Sequence, residues 1–200
     1  MNTELQRIME TYNSLESGHT EPNYYQRPDK ILNLSLKYNI SSIFDSGCKD
    51  RTWIKNNSFA AHNIKYIGGE ISLPQVNRCQ VLFPDVTVIH HDCTTDPFPE
   101  VDMILSSDVA IHLSNVDKLK FIKNFISSGV KYLLMTDSGV DSDNNRSPEY
   151  TEFPMAHVSW CQSPWNFPKE LDSISDQLND KRLKLWHRDQ LVPVIEKINL

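Results

Sequence analysis

Acidic side chains stand at the ends of several short apolar segments of this 200-residue chain. Asp45, Glu70 and Asp92 each close such a segment, and Ser107 with Asp108 closes another. Carboxylates accept hydrogen bonds from the hydroxyl and amino groups of ligands. If the segments are neighbouring strands, these side chains gather at one sheet edge and form a binding site. The alternative is that each one caps the helix that follows it.

Asp108 and His112 are the residues best suited to proton transfer. Four positions separate them, so in a helix both side chains lie on one face. An aspartate that fixes the tautomer of a histidine makes a general base, which a hydroxyl acceptor requires. The spacing predicts a catalytic Asp108–His112 pair. The alternatives are a helix cap for Asp108 and a core or helix-start position for His112.

From residue 41 the chain alternates strand-like and helical segments. The strand-like segments are Ser41–Ser46, Ile64–Glu70, Val86–Asp92, Val101–Ser107 and Val130–Thr136. Helical patterns lie near 50–57, 73–82 and 115–127, and Leu171–Gln177 with Arg182–Arg188 indicates an antiparallel hairpin. Such alternation is typical of βαβ units. We predict an α/β fold: a Rossmann-like sandwich with a mainly parallel, seven-stranded sheet whose ligands bind at the carboxyl ends of the strands.

The segment ahead of this unit has its own helical patterns, over 3–15 and from Pro28 to Tyr38. They predict an N-terminal helical extension or lid over residues 1–38 and a single globular domain over 39–200.

Glycine is scarce, with six residues in the whole chain. A dinucleotide-binding turn needs G-x-G-x-x-G after the first strand, whereas here Gly47 stands alone in the segment Asp45–Asp50. One glycine does not let the backbone approach a pyrophosphate closely. The turn therefore favours a phosphate-free adenosyl ligand, S-adenosylmethionine, over NAD.

Several segments resemble the class I S-adenosylmethionine-dependent methyltransferases, in particular a small subgroup whose first motif reads roughly D-x-x-C-G-D-x-x-W. The similar segments are Phe44–Trp53, Tyr66–Ile71, His91–Asp102, Asp108–Ser114, Tyr132–Thr136, Pro164–Pro168 and Leu183–Trp186. They span roughly residues 40–190, and their order and spacing together are more specific than any one of them. Two positions depart from the pattern: Lys49 replaces a glycine, and Ser107 replaces a frequent arginine.

The resemblance implies a role for each matching position in binding the cofactor. Asp45, Gly47 and Cys48 would line its methionine part, and Glu70 would accept the ribose hydroxyls. Asp92 would accept the adenine amino group, with Cys93 beside it. The remaining implied cofactor residues are Ile71, Val109 and Ser107. The side chain of Lys49, which replaces a glycine of the motif, could crowd the methionine end of the cofactor. The alternative to an active enzyme is therefore a pseudoenzyme that does not bind the cofactor.

The predicted acceptor is a sugar or glycan hydroxyl. Residues 137–168 form a long irregular segment rich in aromatic rings, which stack on the apolar faces of sugars. The candidate substrate-binding residues are His19, Asp137, Trp160 and Trp165. The alternative for the aromatic residues, and for Trp165 in particular, is a position in the core. Asp137 with Asp141 and Asp143 could also hold a divalent metal, although a solvated acidic loop is the expected reading and no metal is predicted.

Composition narrows the class of protein further. The net charge of −6 argues against general nucleic-acid binding, which needs clustered basic residues. No apolar run is long enough to span a membrane, and four scattered cysteines without an export signal favour a reducing, cytoplasmic location. The remaining alternatives are a methyltransferase for another small molecule or an RNA cap, and a non-catalytic binding module.

Overall fold

The computed structural model describes residues 27–49, 58–139, 144, 157–175 and 181–198. The predicted helices over 3–15 and 50–57, and the candidate residue His19, lie outside these ranges. Within them, no helix is long and apolar enough to cross a membrane.

Seven strands form one sheet in the order β3-β2-β1-β4-β5-β7-β6. The strands are β1 (Ser42–Ser46), β2 (Lys65–Glu70), β3 (Thr87–His90), β4 (Met103–Ser106), β5 (Tyr132–Asp137), β6 (Asp172–Ser175) and β7 (Arg182–His187). The first five are parallel, and β7 pairs antiparallel with both β5 and β6. The prediction of a mainly parallel seven-stranded sheet with a closing hairpin is confirmed, with strand bounds shifted by one or two residues.

Helices precede, connect and follow the strands. They are α1 (Arg27–Lys37), α2 (Ser58–Ala61), α3 (Leu73–Leu82), α4 (Asn115–Ser128) and α5 (Arg188–Ile195), with a short 3-10 helix over Ala110–His112. The sequence pattern does not predict α5, because Pro193 interrupts the helical pattern. The helix is fixed instead at its start, where the His187 ring accepts from the Asp189 N–H and the Gln190 side chain accepts from the His187 N–H.

Two apolar clusters cover the two faces of the sheet. One joins Phe44 and Ile104 to α4, α5 and the ring of Trp186. The other joins Ile43, Met103 and Leu105 to α1. Continuous burial on both faces explains the near-uninterrupted apolar runs of the parallel strands. Because α1 contributes to this second cluster, it packs as part of the sandwich, and the boundary at residue 38 stays a prediction from sequence.

The strand order creates the place where a ligand can bind. β2 follows β1 on one side of the sheet and β4 lies on its other side, so the connections leaving β1 and β4 diverge. Such a divergence leaves a crevice at the carboxyl ends of the strands. Asp45, Glu70, Asp108 and Asp137 all lie at this carboxyl edge.

Candidate functional site

The turn after β1 depends on Gly47. Its φ is +80°, a conformation that glycine adopts without strain, and an added Cβ would lie 2.4 Å from Cγ2 of Val109. The N–H groups of Gly47 and Cys48 both donate to the carbonyl of Gly69, at 2.8 and 3.0 Å. These bonds tie the β1 turn to the end of β2. The two segments predicted to bind a cofactor are therefore one structural unit.

Lys49 adopts a φ of +50°, which explains why the related motif has glycine there. Its N–H donates to Oε2 of Glu70 at 3.1 Å. Its carbonyl accepts from the Cys79 thiol, with Sγ at 2.9 Å. The lysine keeps the left-handed turn through these bonds, so its presence does not abolish the turn.

Glu70 is buried at the end of β2, and both of its carboxylate oxygens accept backbone hydrogen bonds. Oε2 accepts from Lys49, and Oε1 accepts from the N–H of Ser72 at 3.0 Å. Two N–H donors fix the plane of the carboxylate. Asp45, also buried, accepts from the hydroxyl of Tyr66.

Asp92 carries an unused acceptor. Its Oδ1 accepts from the N–H and the hydroxyl of Thr94, at 2.9 and 2.7 Å. Its Oδ2 is buried, and no described residue donates to it. A buried carboxylate oxygen without a donor is costly, so a ligand donor is the natural complement. This observation fits the adenine amino group of an adenosyl cofactor.

The other predicted cofactor residues surround the same edge. Ile71, Val109 and Cys93 are buried, and burial raises the pKa of the Cys93 thiol to about 12, which keeps it uncharged. Ser107 accepts a hydrogen bond from Nη1 of Arg27 at 2.6 Å. The site thus combines anionic acceptors with uncharged walls.

Asp108 and His112 do not form the predicted pair. Asp108 has a φ of +58°, so the segment is not one continuous helix and the two side chains do not share a helical face. Its N–H donates to the Thr136 hydroxyl at 2.8 Å. Its carboxylate lies instead between two cations, 3.5 Å from Nη1 of Arg27 and 3.6 Å from Nζ of Lys181. His112 ends the 3-10 helix, where its ring is partly exposed.

Asp137 is not available to a substrate, contrary to the prediction. It is 1% exposed, and its Oδ1 accepts from Nζ of Lys184 and the N–H of Gly139, both at 3.0 Å. Its Oδ2 accepts from the N–H of Trp160 at 2.9 Å. Burial alone would lower the pKa of Lys184, but the hydrogen bond and charge of Asp137 raise it. The carboxylate is therefore a structural partner of β7 and of the loop after residue 157.

Trp160 and Trp165 are core residues, which corrects the prediction that their rings stack on a substrate. Both are 0% exposed, and their ring centroids lie 5.0 Å apart. The Trp160 Nε1 donates to the carbonyl of Thr136 at 2.9 Å. Phe167 stacks on Trp160 and meets Trp186 edge to face. Rings packed on one another in this way leave no face for a sugar.

Three residues near the edge have no signal in the sequence: Arg27, Asn144 and Lys181. A fourth, Lys118, is expected from its charge on the solvated face of a helix, and this expectation is wrong. Asn144 is buried and holds the loop after residue 157 by bonds to the N–H and carbonyl of Ser159, at 2.9 and 2.7 Å. Lys118 is 1% exposed, with Asn115 Oδ1 at 3.2 Å, and burial lowers its pKa to about 8. The partners of Arg27, Asn144 and Lys181 are remote in sequence, so no local pattern marks these three residues. The partner of Lys118 lies one turn earlier in the same helix, and only the burial of the ammonium has no local signal.

A metal site finds no support among the residues the structure describes, where no group of three or more metal-ligating side chains occurs. The two other members of the acidic set proposed with Asp137, namely Asp141 and Asp143, lie outside the described residues.

No protein-family model and no curated protein matches this sequence. Many solved structures share its fold. The magnesium protoporphyrin IX methyltransferase from Synechocystis PCC 6803 with bound S-adenosylmethionine matches with a TM-score of 0.68 at 13% identity, over 92% of this chain and 97% of that one.

Two further structures are similar. The N-methyltransferase NodS from Bradyrhizobium japonicum WM9 with S-adenosylhomocysteine matches with a TM-score of 0.64 at 15% identity, over 92% of this chain and 96% of that one. The methyltransferase domain of bacterial-CtHen1-CN matches with a TM-score of 0.58 at 12% identity, over 81% and 97%. Together with the strand order, these matches establish that the chain has the class I methyltransferase fold.

Proposed function

We propose that this protein is an S-adenosylmethionine-dependent methyltransferase that methylates a hydroxyl of a sugar or glycan. The observation that carries the cofactor assignment is the unpartnered Oδ2 of Asp92. It lies beyond β3, whose neighbour β2 ends in Glu70, and β1, which carries Asp45, lies on the other side of β2. An adenosyl group would supply both the missing donor and the hydroxyls for the neighbouring carboxylates.

The cofactor residues would each bind a different part of the cofactor. Asp45 and Gly47 would receive the methionine part, with Cys48, Ser107 and Val109 around it. Glu70 would accept the ribose hydroxyls with a carboxylate whose plane its two backbone donors fix. Asp92 would accept the adenine amino group, and Ile71 and Cys93 would form apolar walls beside the adenine. The described part of the turn after β1 contains a single glycine, Gly47, and not the glycine-rich sequence that pyrophosphate binding needs.

The cofactor, when bound, supplies an electrophilic methyl group for in-line displacement. The chain must orient the acceptor oxygen and accept its proton. His112 is the proposed base, because it is partly exposed at the carboxyl edge. Asp108, held between Arg27 and Lys181, would orient the acceptor as a fixed anion rather than steer the tautomer of His112.

A sugar or glycan acceptor is proposed from residue chemistry. The acid-rich carboxyl edge suits hydroxyl donors, and a hydroxyl requires the base that His112 provides. The names of the similar structures include a magnesium protoporphyrin IX enzyme and an N-methyltransferase, so fold similarity does not select an acceptor.

Binding of the cofactor is the first test. Titration calorimetry with S-adenosylhomocysteine is expected to give saturable binding with one site per chain. Absence of binding at millimolar concentration would reject the enzyme and favour a non-catalytic binding module.

Acceptor class is tested with radiolabelled S-adenosylmethionine and matched sugars. Glucose and mannose derivatives are compared with analogues in which one hydroxyl is replaced by an amine or is already methylated. Label transfer to the hydroxyl form alone supports the proposal. Transfer only to amines, or to capped RNA in a salt-sensitive manner, would assign another acceptor.

A further inference from the structure

The turn that carries Lys49 needs support from outside the motif. A left-handed φ of +50° is unfavourable for a lysine, because its Cβ crowds the backbone. Glycine would adopt this conformation freely. The bonds that hold the Lys49 peptide groups therefore decide how well the turn keeps its shape.

A thiol on α3 holds one of those groups. Cys79 lies in the middle of α3, fully buried, and its Sγ is 2.9 Å from the carbonyl oxygen of Lys49. The Cys48 thiol approaches the same oxygen at 3.7 Å. A hydrogen bond with Cys79, together with burial, raises the pKa of Cys48 well above its ordinary value. The thiol of Cys48 therefore stays protonated.

The N–H group of Lys49 contacts Glu70, the residue proposed to accept the ribose hydroxyls. Its N–H donates to Oε2 of Glu70, while Oε1 receives the N–H of Ser72, the residue that precedes α3. Both oxygens of Glu70 are thus linked to α3: one directly through Ser72, the other through Lys49 and Cys79. A shift of the Lys49 peptide would rotate the carboxylate.

We propose that Cys79 is a positioning residue for cofactor binding, whose thiol fixes the Lys49 carbonyl and thereby aims the Lys49 N–H at Glu70. The inference rests on the proposed function, in which Glu70 binds the ribose. It extends the site to a helix residue that has no place in the cofactor motifs.

A double-mutant cycle separates positioning from simple packing. The variants are Cys79→Ala, Lys49→Gly and the double variant, each titrated with S-adenosylhomocysteine by calorimetry. Cys79→Ala is expected to raise the Kd about fivefold, the range of one lost hydrogen bond. In the Lys49→Gly background the same change should raise the Kd less than about twofold, because glycine holds the turn without the thiol.

Two control variants separate the loss of the hydrogen-bond donor from a loss of packing. Cys79→Ser keeps a donor and should restore the Kd to within about twofold of wild type. Val76→Ala, in the same buried cluster of Cys48, Val76, Cys79 and Val88, should lower the melting temperature without a comparable change in Kd. If Cys79→Ala does not fold, Cys79→Val keeps the volume without the donor and replaces it in the cycle.

Three results would overturn the inference: an unchanged Kd in Cys79→Ala, equal effects in both backgrounds, or an effect that Val76→Ala reproduces. A wild-type protein that does not bind S-adenosylhomocysteine would instead overturn the proposed function, so the two failures are distinguishable.

Discussion

The two halves of the carboxyl edge hold their carboxylates in different ways. Beside β1, β2 and β3, Glu70 and Asp92 are held by backbone N–H groups and a hydroxyl from nearby turns. Beside β4, β5 and β7, Asp108 and Asp137 face the cations Arg27, Lys181 and Lys184 from remote segments. The first half relies on backbone N–H groups and hydroxyls as donors, and the second on charge pairs with cations. We call them the cofactor half and the acceptor half.

This contrast has a chemical consequence. At Asp92 an N–H and a hydroxyl occupy Oδ1, and no described residue donates to Oδ2, which leaves that oxygen for a ligand. A carboxylate such as Asp137, enclosed by a lysine and two N–H donors, has its capacity used by the protein. We therefore propose that similar residues at similar strand ends differ in role: Glu70 and Asp92 bind the cofactor and Asp108 orients the acceptor, whereas Asp137 stabilises the structure.

The largest expected effect is on the stability of the acceptor half. Asp137→Ala leaves the Lys184 ammonium without its anion and should lower the free energy of unfolding by about 3 kcal/mol. Urea denaturation measures this. Lys37→Met, which removes an exposed ion pair with Asp172, is the matched control and should change little. Equal losses in the two variants would contradict the structural role of Asp137.

Lys118→Met should stabilise the protein at pH 7, because it removes a buried ammonium. The folded pKa of Lys118, about 8, lies below its ordinary value of 10.5, so between these values the unfolded state binds more protons. Wild-type stability should therefore rise with pH across that window, whereas the variant lacks this rise. The gain at pH 7 is about 2–3 kcal/mol and disappears near pH 10.5. Urea denaturation from pH 7 to 10.5 measures it, and parallel profiles would refute it.

Glu70→Ala tests the cofactor half. It removes an ionised acceptor and leaves the Lys49 and Ser72 N–H groups unpaired, so the Kd for S-adenosylhomocysteine should rise about tenfold or more. The turnover number at saturating cofactor should change less. Asp85→Ala, exposed before β3 at the opposite end of the strands, is the control and should leave the Kd unchanged. A larger loss in turnover than in binding would reassign Glu70.

His112→Ala should lower the turnover number at least about tenfold, the minimum contribution expected of a general base, with cofactor affinity nearly unchanged. Steady-state kinetics with the identified acceptor measure it. His62→Ala, exposed ahead of β2 at the opposite edge, controls for loss of an imidazole. Unchanged turnover in His112→Ala would remove the base assignment.

Asp108→Asn should have the smallest effect on stability. The Asp108 side chain is 24% exposed and both of its ion pairs are longer than hydrogen bonds, so the loss is below about 1 kcal/mol. It should shrink further at high salt, because solvent screens such pairs. Melting curves at low and high sodium chloride test this. A loss independent of salt would mean that Asp108 acts through its backbone geometry.

Local patterns were sufficient for the cofactor half. Apolar segments that end in acids predicted β1 to β3 and their acidic ends, since strand alternation and motif spacing are short-range properties. Even Lys49, which looked like a departure, follows the backbone that the motif prescribes.

The acceptor half was predicted less well. The Asp108–His112 pair assumed helical spacing that the left-handed Asp108 breaks. Trp160 and Trp165 were assigned to a surface, because composition does not tell a core ring from an exposed one. The helix α5 was missed because its start is fixed by His187 and Gln190 against the cost of Pro193.

The sequence by itself determined the α/β sandwich, the parallel order of acidic strand ends and the absence of a phosphate-binding turn. Periodicity, turn chemistry and residue type act over a few positions, so they can be read along the chain. Only the tertiary structure decided which acids remain free to bind a ligand. That outcome depends on whether a cation or an N–H group from a distant segment contacts the carboxylate, as Lys184 does at Asp137 and Arg27 does at Asp108.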